Sequence, residues 1–264
     1  MADLAGMGIL VTGGGTGIGK ACAAKLAADG AAVTICGRTE ANLQAAAEEI
    51  SAAASQDGSV QWISGDVTCE ADVQKFVARA AEPTGNLNGV IANAGGGGMP
   101  MAYGNVDTDE FIRVLNLNVL GTMFCMKHSI ALMLAAGGGS FVGMSSLAGH
   151  ITHPYFHAYC AGKAGVEAMM RNAADEYGKD NIRFNAIRPG FIATESMAGI
   201  PRDSEVYKSY IDNTPMNDAG QPEDVAELAR FLIGPESRWI TGQCINVDGG
   251  HCLRRGPDFS SFVG

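Results

Sequence analysis

Short apolar runs alternate with longer helical stretches along most of this 264-residue chain. The apolar runs are nearly continuous, which is typical of parallel strands that helices cover on both faces of a sheet. The pattern therefore predicts an α/β fold with a doubly wound, parallel, seven-stranded sheet. The predicted strands are 7–12, 31–37, 60–64, 88–93, 139–145, 182–187 and 243–248, and the predicted helices are 17–30, 39–54, 69–82, 107–136, 158–178 and 222–233.

The segment 190–221 interrupts this alternation, since it has two prolines, few apolar repeats and no clear strand. No linker or break in composition divides the chain, so we expect a single domain over 1–264. Within it, 190–221 is an insertion and a candidate substrate lid. The residues 251–264 form a C-terminal tail that either packs against a neighbouring subunit or frays.

Charge and cysteine content exclude several classes of protein. The formal net charge is −10 and no basic stripe is visible, which argues against a nucleic-acid partner. The seven cysteines form no C-x-x-C pair, which favours reduced thiols in a reducing compartment. With no run of 18 apolar residues and no signal peptide, we expect a cytoplasmic protein that does not span a membrane.

A glycine-rich turn, TGGGTGIG at 12–19, joins the first predicted strand to the first predicted helix. Glycines let the backbone turn sharply and approach a pyrophosphate, and the helix N-terminus offers free N–H groups. The spacing differs from the common G-x-G-x-x-G, and no Lys-Ser/Thr pair follows as in a P-loop. The turn predicts a dinucleotide site, and its candidate residues are Gly13, Gly15, Thr16, Gly17, Ile18 and Gly19.

The end of the second predicted strand indicates which dinucleotide fits. An acid there would bind the ribose 2′-hydroxyl of NAD and repel a 2′-phosphate. This chain has Gly37 and then Arg38, whose planar guanidinium suits a phosphate. We predict a preference for NADP(H), with NAD(H) as the alternative because Glu40 lies nearby.

Two further turns follow predicted strands at the edge where ligands bind in such sheets. Asp66 and Val67 either contact an adenine or, in the case of Asp66, cap the next helix; both roles are compatible. The sequence NAGGGG at 93–98 supplies backbone without bulky side chains, along which a cofactor can lie. Its candidate residues are Asn93, Ala94 and Gly95.

The segment YCAGK places Tyr159 and Lys163 one helical turn apart, on one face of a predicted helix. A tyrosine has an ordinary pKa of about 10, and a neighbouring lysine together with a cationic nicotinamide ring favours the phenolate. Ser145 and Ser146 end the preceding strand, where a serine hydroxyl could hold a substrate oxygen. A tyrosine and a lysine at this spacing also occur by chance, so the pair gains weight only from the nucleotide turn.

These motifs, with NLNVLGT, RPG and ITGQCINVDGG, occur in the order typical of one family. Over roughly residues 7–250 the chain resembles the short-chain dehydrogenase/reductase family, which implies a Rossmann-like fold. The family's serine lies 13 positions before its tyrosine, which selects Ser146 over Ser145. The resemblance likewise selects Tyr159 over Tyr155 and Asn118 over Asn116. The implied catalytic residues are Asn118, Ser146, Tyr159 and Lys163.

The resemblance also implies how these residues act. Tyr159 would donate a proton to a carbonyl oxygen as hydride arrives from NADPH, and Lys163 would lower the tyrosine pKa and bind the nicotinamide ribose. Ser146 would stabilise the oxygen, and Asn118 would hold a water that connects the lysine to solvent. The segment RPGFIAT resembles the nicotinamide-binding segment of the family; with Tyr159 and Lys163, it adds the candidate cofactor residues Pro189, Gly190, Ile192 and Thr194.

The sequence constrains the substrate less than it constrains the cofactor and the catalytic residues. In HITHPYFHAY, 150–159, the histidines have spacings that suit a metal on a helix, but Pro154 interrupts any helix, so we expect no metal. We predict a small carbonyl or alcohol substrate, a hydrophobic or steroid-like ketone, against a pocket wall formed by Met99, Met101, Tyr155, Phe156 and Met197.

Two alternatives to this function remain open. The first is a 3-oxoacyl reductase acting on an acyl carrier protein or coenzyme A, with Lys127 and Arg171 as contacts. The second is a non-catalytic NADP(H)-binding sensor. Double-bond reduction is disfavoured, because the family's enoyl reductases space tyrosine and lysine further apart. The resemblance also implies a homotetramer, or a dimer, paired through helices 107–136 and 158–178.

Overall fold

Seven parallel strands form one sheet in the computed structural model, which describes residues 3–195 and 197–253. The strand order is β3-β2-β1-β4-β5-β6-β7, so the chain winds outward from β1, crosses over and winds outward again from β4. The predicted doubly wound fold is confirmed. The strands are β1 (Gly8–Thr12), β2 (Ala32–Gly37), β3 (Ser59–Ser64), β4 (Gly89–Ala92), β5 (Gly139–Met144), β6 (Ile182–Pro189) and β7 (Cys244–Val247).

Helices cover both faces of the sheet and bury two separate hydrophobic cores. One core lies beneath α1, α2 and α8, and the other beneath α3, α5 and α6. Successive residues of β1 point to opposite faces: Ile9 and Val11 join the first core and Leu10 joins the second. The helices are α1 (Gly17–Ala28), α2 (Glu40–Ala53), α3 (Glu70–Ala81), α4 (Thr108–Leu115), α5 (Gly121–Ala135), α6 (His157–Tyr177), α7 (Glu205–Asp212) and α8 (Pro222–Ile233).

The predicted helix 107–136 is two α-helices, α4 and α5, joined by one π-helical turn at Asn116–Leu120. Such turns often occur at functional sites because they shift the backbone hydrogen bonds by one residue. Among the residues that the structure describes, the stretch Thr108–Ala135 is long and apolar enough to cross a membrane by length and composition alone. Core helices meet the same criteria, and Cys125 and Met133 of this stretch pack into the second core.

The segment 190–221 contains α7, a helix that the sequence pattern did not predict. The helix has only eight residues and none of them is fully buried, so it leaves a short signal in the sequence. Its start is set by Ser204, whose hydroxyl accepts a hydrogen bond from the backbone N–H of Tyr207 at 3.1 Å. A single parallel bridge between Ile192 and Gly220 closes the base of the segment. The prediction for the tail lies largely outside the described residues, which end at 253.

Candidate active site

A cleft of about 640 Å³ opens at the carboxyl edge of the sheet, between the ends of the central strands and the 190–221 segment. It brings together most of the residues predicted from the sequence, although Gly19 and Asn118 lie behind its wall. The predicted residues that line it are Gly13, Gly15, Thr16, Gly17, Ile18, Arg38, Asp66, Val67, Asn93, Ala94, Gly95, Ser146, Tyr159, Lys163, Pro189, Gly190, Ile192 and Thr194.

Hydrogen bonds fix the glycine-rich turn to the end of β4. The Asn93 side-chain amide donates to the carbonyl oxygens of Thr12 and Gly13, at 3.0 and 3.2 Å. The Thr12 hydroxyl accepts from the backbone N–H groups of Asn93 and Ala94, at 3.0 and 2.9 Å. Gly13 turns with a φ of +65°, a conformation that favours glycine. The two loops that would hold a dinucleotide are therefore fixed relative to each other.

The structure gives Gly19 a packing role, and the cofactor contact predicted for it stays a prediction. A Cβ atom at Gly19 would lie 2.1 Å from the carbonyl oxygen of Gly13. Only a glycine lets the first turn of α1 approach the strand end this closely. Gly19 therefore shapes the turn from behind the cleft.

The N-terminus of α1 faces the cleft without a side-chain cap. The N-cap is Thr16, which makes no capping hydrogen bond, and the first turn contains no acid. Its backbone N–H groups are available to an anion, as a pyrophosphate requires. These features fit a dinucleotide, although Glu195 of the 190–221 segment also lines this part of the cleft.

The residues after β2 and β3 border the outer end of the cleft. Gly37 and Arg38 both line it, and Arg38 is exposed to solvent. Asp66 also lines the cleft while its carboxylate accepts hydrogen bonds from the N–H and the hydroxyl of Thr68, each at 2.8 Å. Asp66 therefore forms a turn just before α3, but it does not cap that helix, whose N-cap residue is Cys69. Val67 is buried against Gly121.

Tyr159 and Lys163 project from α6 toward the deepest part of the cleft. The Lys163 ammonium lies 5.6 Å from the centroid of the Tyr159 ring and donates a 2.8 Å hydrogen bond to the carbonyl oxygen of Met144. Burial raises the pKa of the Tyr159 phenol, and a hydrogen bond with Ser146 offsets part of that rise. Burial lowers the pKa of Lys163 to about 8. The lysine therefore titrates much closer to neutrality than usual.

The two serines after β5 point in different directions. Ser146 lines the cleft, lowers the pKa of the Tyr159 phenol and accepts a 3.2 Å hydrogen bond from the N–H of Ala148. Ser145 is buried and its hydroxyl is 2.9 Å from a carboxylate oxygen of Glu167. Because Ser146 faces the cleft and affects Tyr159, whereas Ser145 is bonded away from the cleft, the geometry favours Ser146 as the residue beside a reacting oxygen.

Asn118 lies at the centre of the π-helical turn, buried behind the cleft. Its amide nitrogen donates to the carbonyl oxygens of Gly96 and Val114, at 2.9 and 2.8 Å, and its amide oxygen accepts from the N–H of Gly96 at 3.3 Å. The side chain thus holds the loop after β4. A Cβ atom at Gly95 would lie 2.7 Å from the Asn118 amide oxygen and 2.9 Å from the Lys163 nitrogen.

Comparison with known proteins identifies the family. The model for "Enoyl-(Acyl carrier protein) reductase" matches residues 13–251. Cis-4-hydroxycyclohexanecarboxylate dehydrogenase of Sinomonas cyclohexanicum is 35% identical over 243 residues, which are 92% of this chain and 95% of that protein. The chain belongs to the short-chain dehydrogenase/reductase family.

A second relative and a solved structure also match this chain over almost its whole length. Glucose 1-dehydrogenase of Gluconobacter oxydans is 34% identical over 250 residues, covering 94% of this chain and 93% of that protein. The solved structure of a short-chain type dehydrogenase/reductase from Mycobacterium ulcerans is 42% identical, with a TM-score of 0.92 over 99% of this chain and 95% of that one. The chain is therefore an oxidoreductase that acts on CH–OH groups, and the dehydrogenases of this family use NAD(H) or NADP(H).

Several residues that line the cleft of this protein were not among the residues predicted for the site. Tyr210 of α7 stacks on Phe191, with ring centroids 4.5 Å apart, and its ring centroid lies 6.4 Å from that of His153. Tyr210 and His153 both line the cleft. The sequence reasoning missed Tyr210 because α7 was not predicted; the spacing of Tyr207 and Tyr210 by three residues was its only signal.

The residues predicted to form the pocket wall line two different cavities. Phe156 and Met197 line the main cleft. Met99, Met101 and Tyr155 line a smaller hollow beside it, where the Nε2 atom of His157 lies 2.7 Å from the carbonyl oxygen of Met101. The side chains proposed as substrate contacts at 99, 101 and 155 are therefore separate from the main cleft.

The two basic residues considered as contacts for a carrier protein are engaged by acids of the chain itself. The Lys127 ammonium lies 2.6 Å from the Glu70 carboxylate. The Arg171 guanidinium lies 3.8 Å from the Glu167 carboxylate. Both cations are thus less available to an acidic partner than the sequence suggests.

Proposed function

We propose that this protein interconverts a small, largely apolar ketone and its secondary alcohol with NADP(H). The observation that carries the proposal is the geometry around Tyr159, which lines the cleft together with Ser146 and whose ring centroid lies 5.6 Å from the buried ammonium of Lys163. A proton donor with these two partners, at the edge of the sheet where a dinucleotide binds, supports carbonyl reduction and its reverse.

The residues of this chain would share the reaction as follows. When bound, the cofactor supplies a hydride to the carbonyl carbon, or accepts one from the alcohol. In reduction, Tyr159 transfers its phenolic proton to the carbonyl oxygen while the Ser146 hydroxyl donates a hydrogen bond to that oxygen. Lys163 stabilises the phenolate that remains. Asn118 holds the loop after β4 and, in this proposal, supports the water through which the lysine exchanges protons with solvent.

NADP(H) is proposed over NAD(H) because of the charge at the outer end of the cleft. Arg38 lines the cleft directly after the Gly37 that ends β2, where an acid would repel a 2′-phosphate. The exposed guanidinium can form the paired hydrogen bonds that suit a phosphate. The other residues proposed to bind the cofactor are the predicted cofactor-binding residues that line the cleft.

The proposed substrate class follows from the apolar part of the cleft wall. This part includes Phe156, Phe191, Met197 and Ile200, which suit an apolar molecule such as a cyclic or steroid-like ketone. His153 and Tyr210 add polar atoms to this wall. A sugar would leave several hydroxyls against apolar side chains, which disfavours it.

The competing activities have less support. The ion pairs of Lys127 with Glu70 and of Arg171 with Glu167 argue against docking of an acidic carrier protein. Reduction of a 3-oxoacyl coenzyme A is therefore the second candidate. The spacing of Tyr159 and Lys163 by four residues argues against enoyl reduction. A non-catalytic NADP(H) sensor would not need the Ser146–Tyr159–Lys163 arrangement.

We also propose a single-domain, cytoplasmic protein that assembles as a homotetramer, or as a dimer. Apolar side chains support the assembly, because Ile112, Leu120 and Leu134 of the α4–α5 stretch are 48%, 38% and 44% exposed. Exposed apolar patches of this kind commonly mark subunit contacts.

A panel assay tests the activity. NADPH oxidation with cyclic ketones, steroid ketones and acetoacetyl-coenzyme A, and NADP reduction with the matching alcohols, should show turnover with the cyclic or steroid compounds. Tyr159→Phe should abolish turnover and keep NADPH binding, whereas Tyr155→Phe, at an exposed position outside the cleft, should retain both. Full activity in Tyr159→Phe would rule out the proposed mechanism.

A further inference from the structure

Ser145 has a buried hydroxyl with partners outside the cleft. This hydroxyl lies 2.9 Å from the Oε1 atom of Glu167 and 3.1 Å from the carbonyl oxygen of Lys163. Its backbone N–H donates to the carbonyl oxygen of Ile187 at 2.8 Å. Ser145 therefore contacts both the helix that carries Tyr159 and the strand beside its own.

Glu167 and Arg188 form a buried ion pair next to this serine. The Arg188 guanidinium donates two hydrogen bonds to the carboxylate, from Nε to Oε1 at 2.6 Å and from Nη2 to Oε2 at 2.5 Å. The side chains are 4% and 13% exposed. The paired geometry fixes the orientation of the two planar groups as well as their distance.

Together these contacts close a ring through three elements. Ser145 directly follows β5 and precedes Ser146, Glu167 lies one turn beyond Lys163 on α6, and Arg188 lies in β6 directly before Pro189. The ring runs from β5 to α6 through Ser145 and Glu167, from α6 to β6 through the ion pair, and back to β5 through the backbone. Each element carries a different part of the proposed site.

We propose that Ser145, Glu167 and Arg188 are positioning residues, which hold Ser146, the Tyr159–Lys163 pair and the loop after β6 in register for hydride and proton transfer. This inference rests on the proposed function and adds three residues to it. A displacement of about 1 Å between reacting groups can cost roughly 100-fold in rate, so a rigid frame behind them has a direct effect on turnover.

Stability alone is a weak reason to keep this ion pair. Burying two charges has a desolvation cost, and replacing a buried pair by apolar side chains of similar size is often neutral or stabilising. An apolar pair would fill the space without fixing an orientation, because methionine side chains are flexible. A structural role and a positioning role therefore predict different behaviour for one double variant.

The experiment compares Ser145→Ala, Glu167→Gln and Glu167→Met/Arg188→Met with the parent enzyme. Each is measured for melting temperature, NADPH dissociation constant, kcat and KM. We expect the double variant to melt near the parent temperature and bind NADPH normally while its kcat falls by about 10- to 100-fold with little change in KM. Glu167→Asp, which keeps the charge, should recover more of the kcat than Glu167→Gln.

A matched control is Glu82→Gln/Arg79→Met, which removes an exposed ion pair on α3 and should leave every parameter unchanged. Hydrogen exchange of peptides from the end of β5, the first half of α6 and the end of β6 gives a readout that needs no substrate, and it should rise in the Ser145 and Glu167 variants. Parent-level kcat in the stable double variant, or parent-level exchange, overturns the proposal. If the parent turns over nothing in the panel, the proposed function fails and the exchange data alone decide this inference.

Discussion

The ammonium of Lys163 lies 5.6 Å from the ring centroid of Tyr159 and is hydrogen-bonded to the carbonyl oxygen of Met144, the last residue of β5. The lysine is thus held by the strand that leads to Ser146, on the same side of the cleft as the phenol. A cation fixed in this way can lower the cost of forming a phenolate at the start of each catalytic cycle.

The lowered pKa of Lys163 predicts a dependence of stability on pH. An unfolded lysine has a pKa near 10.4, whereas burial lowers that of folded Lys163 to about 8. Below pH 8 both states are protonated and the folded state bears the full penalty, on the order of 3 kcal/mol. As pH rises from about 8 to 10.4 the penalty disappears. Lys163→Met should therefore be more stable than the parent below pH 8, with a difference in unfolding free energy that shrinks toward pH 10.4.

Denaturant melts of the two proteins between pH 7 and 10.4 check this. Lys75→Met, which removes an exposed lysine on α3, is the control and should show no such trend. A constant difference across this pH range would contradict the burial of a charged lysine.

Ser146→Ala should shift the pH profile of alcohol oxidation to higher pH. Burial is the main cause that raises the pKa of the Tyr159 phenol, Ser146 lowers this pKa, and Tyr210 and Cys160 add to the rise. Oxidation needs the phenolate, so its rate rises with pH through the tyrosine pKa. Loss of the Ser146 hydroxyl removes the lowering contribution, and kcat/KM should also fall by about 100-fold. Profiles of kcat/KM between pH 6 and 11 measure both effects. The prediction is contradicted if the rise of kcat/KM with pH stays at the same pH or moves to lower pH.

Arg38→Ala should weaken the preference for NADPH over NADH. The guanidinium at the outer end of the cleft is the cation proposed to bind the 2′-phosphate, and a charge-assisted hydrogen bond contributes roughly 1.5–3 kcal/mol. We expect the KM for NADPH to rise about 10-fold or more, with a small change for NADH. Arg79→Ala, at an exposed position on α3, should change neither. Equal efficiency of the parent with both cofactors would contradict the proposal.

Gly95→Ala should abolish turnover although it adds a single methyl group. That methyl would lie within 3 Å of both the Asn118 amide oxygen and the Lys163 nitrogen, so one or both must move. Gly104→Ala is a suitable control, because a Cβ atom there meets nothing within 4 Å. Parallel assays of kcat and melting temperature should show a loss in the first variant and no change in the second; a fully active Gly95→Ala enzyme would show that this packing is not required.

Much of the fold could be predicted because parallel strands buried on both faces leave a simple signal. All seven strands were expected, with ends that differ from the observed ones by one or two residues. The structure extends β6 to Pro189 because that residue pairs with Val247 of β7, and a local pattern does not show such long-range pairing.

The remainder depends on contacts that no local pattern encodes. The π-helical turn at Asn116–Leu120 sits within a continuous helical pattern, since its residues suit an α-helix equally well. The helix α7 is only two turns long, and its apolar face is half-buried against Phe191, a contact that the local pattern does not show. The roles of Ser145 and Glu167 depend on the side-chain directions of residues far apart in sequence, which only the assembled sheet and helices define.

The bridge between Ile192 and Gly220 brings the two ends of the 190–221 segment to one point of the framework. We therefore expect changes in the α7 part of the segment to leave the register of the sheet unchanged. Tyr210 lies in α7, whereas Ser146, Tyr159 and Lys163 lie outside the segment. Evolution, or a protein engineer, can alter which molecule is recognised by changing α7, while Ile192, Thr194 and the proton-transfer residues stay in place.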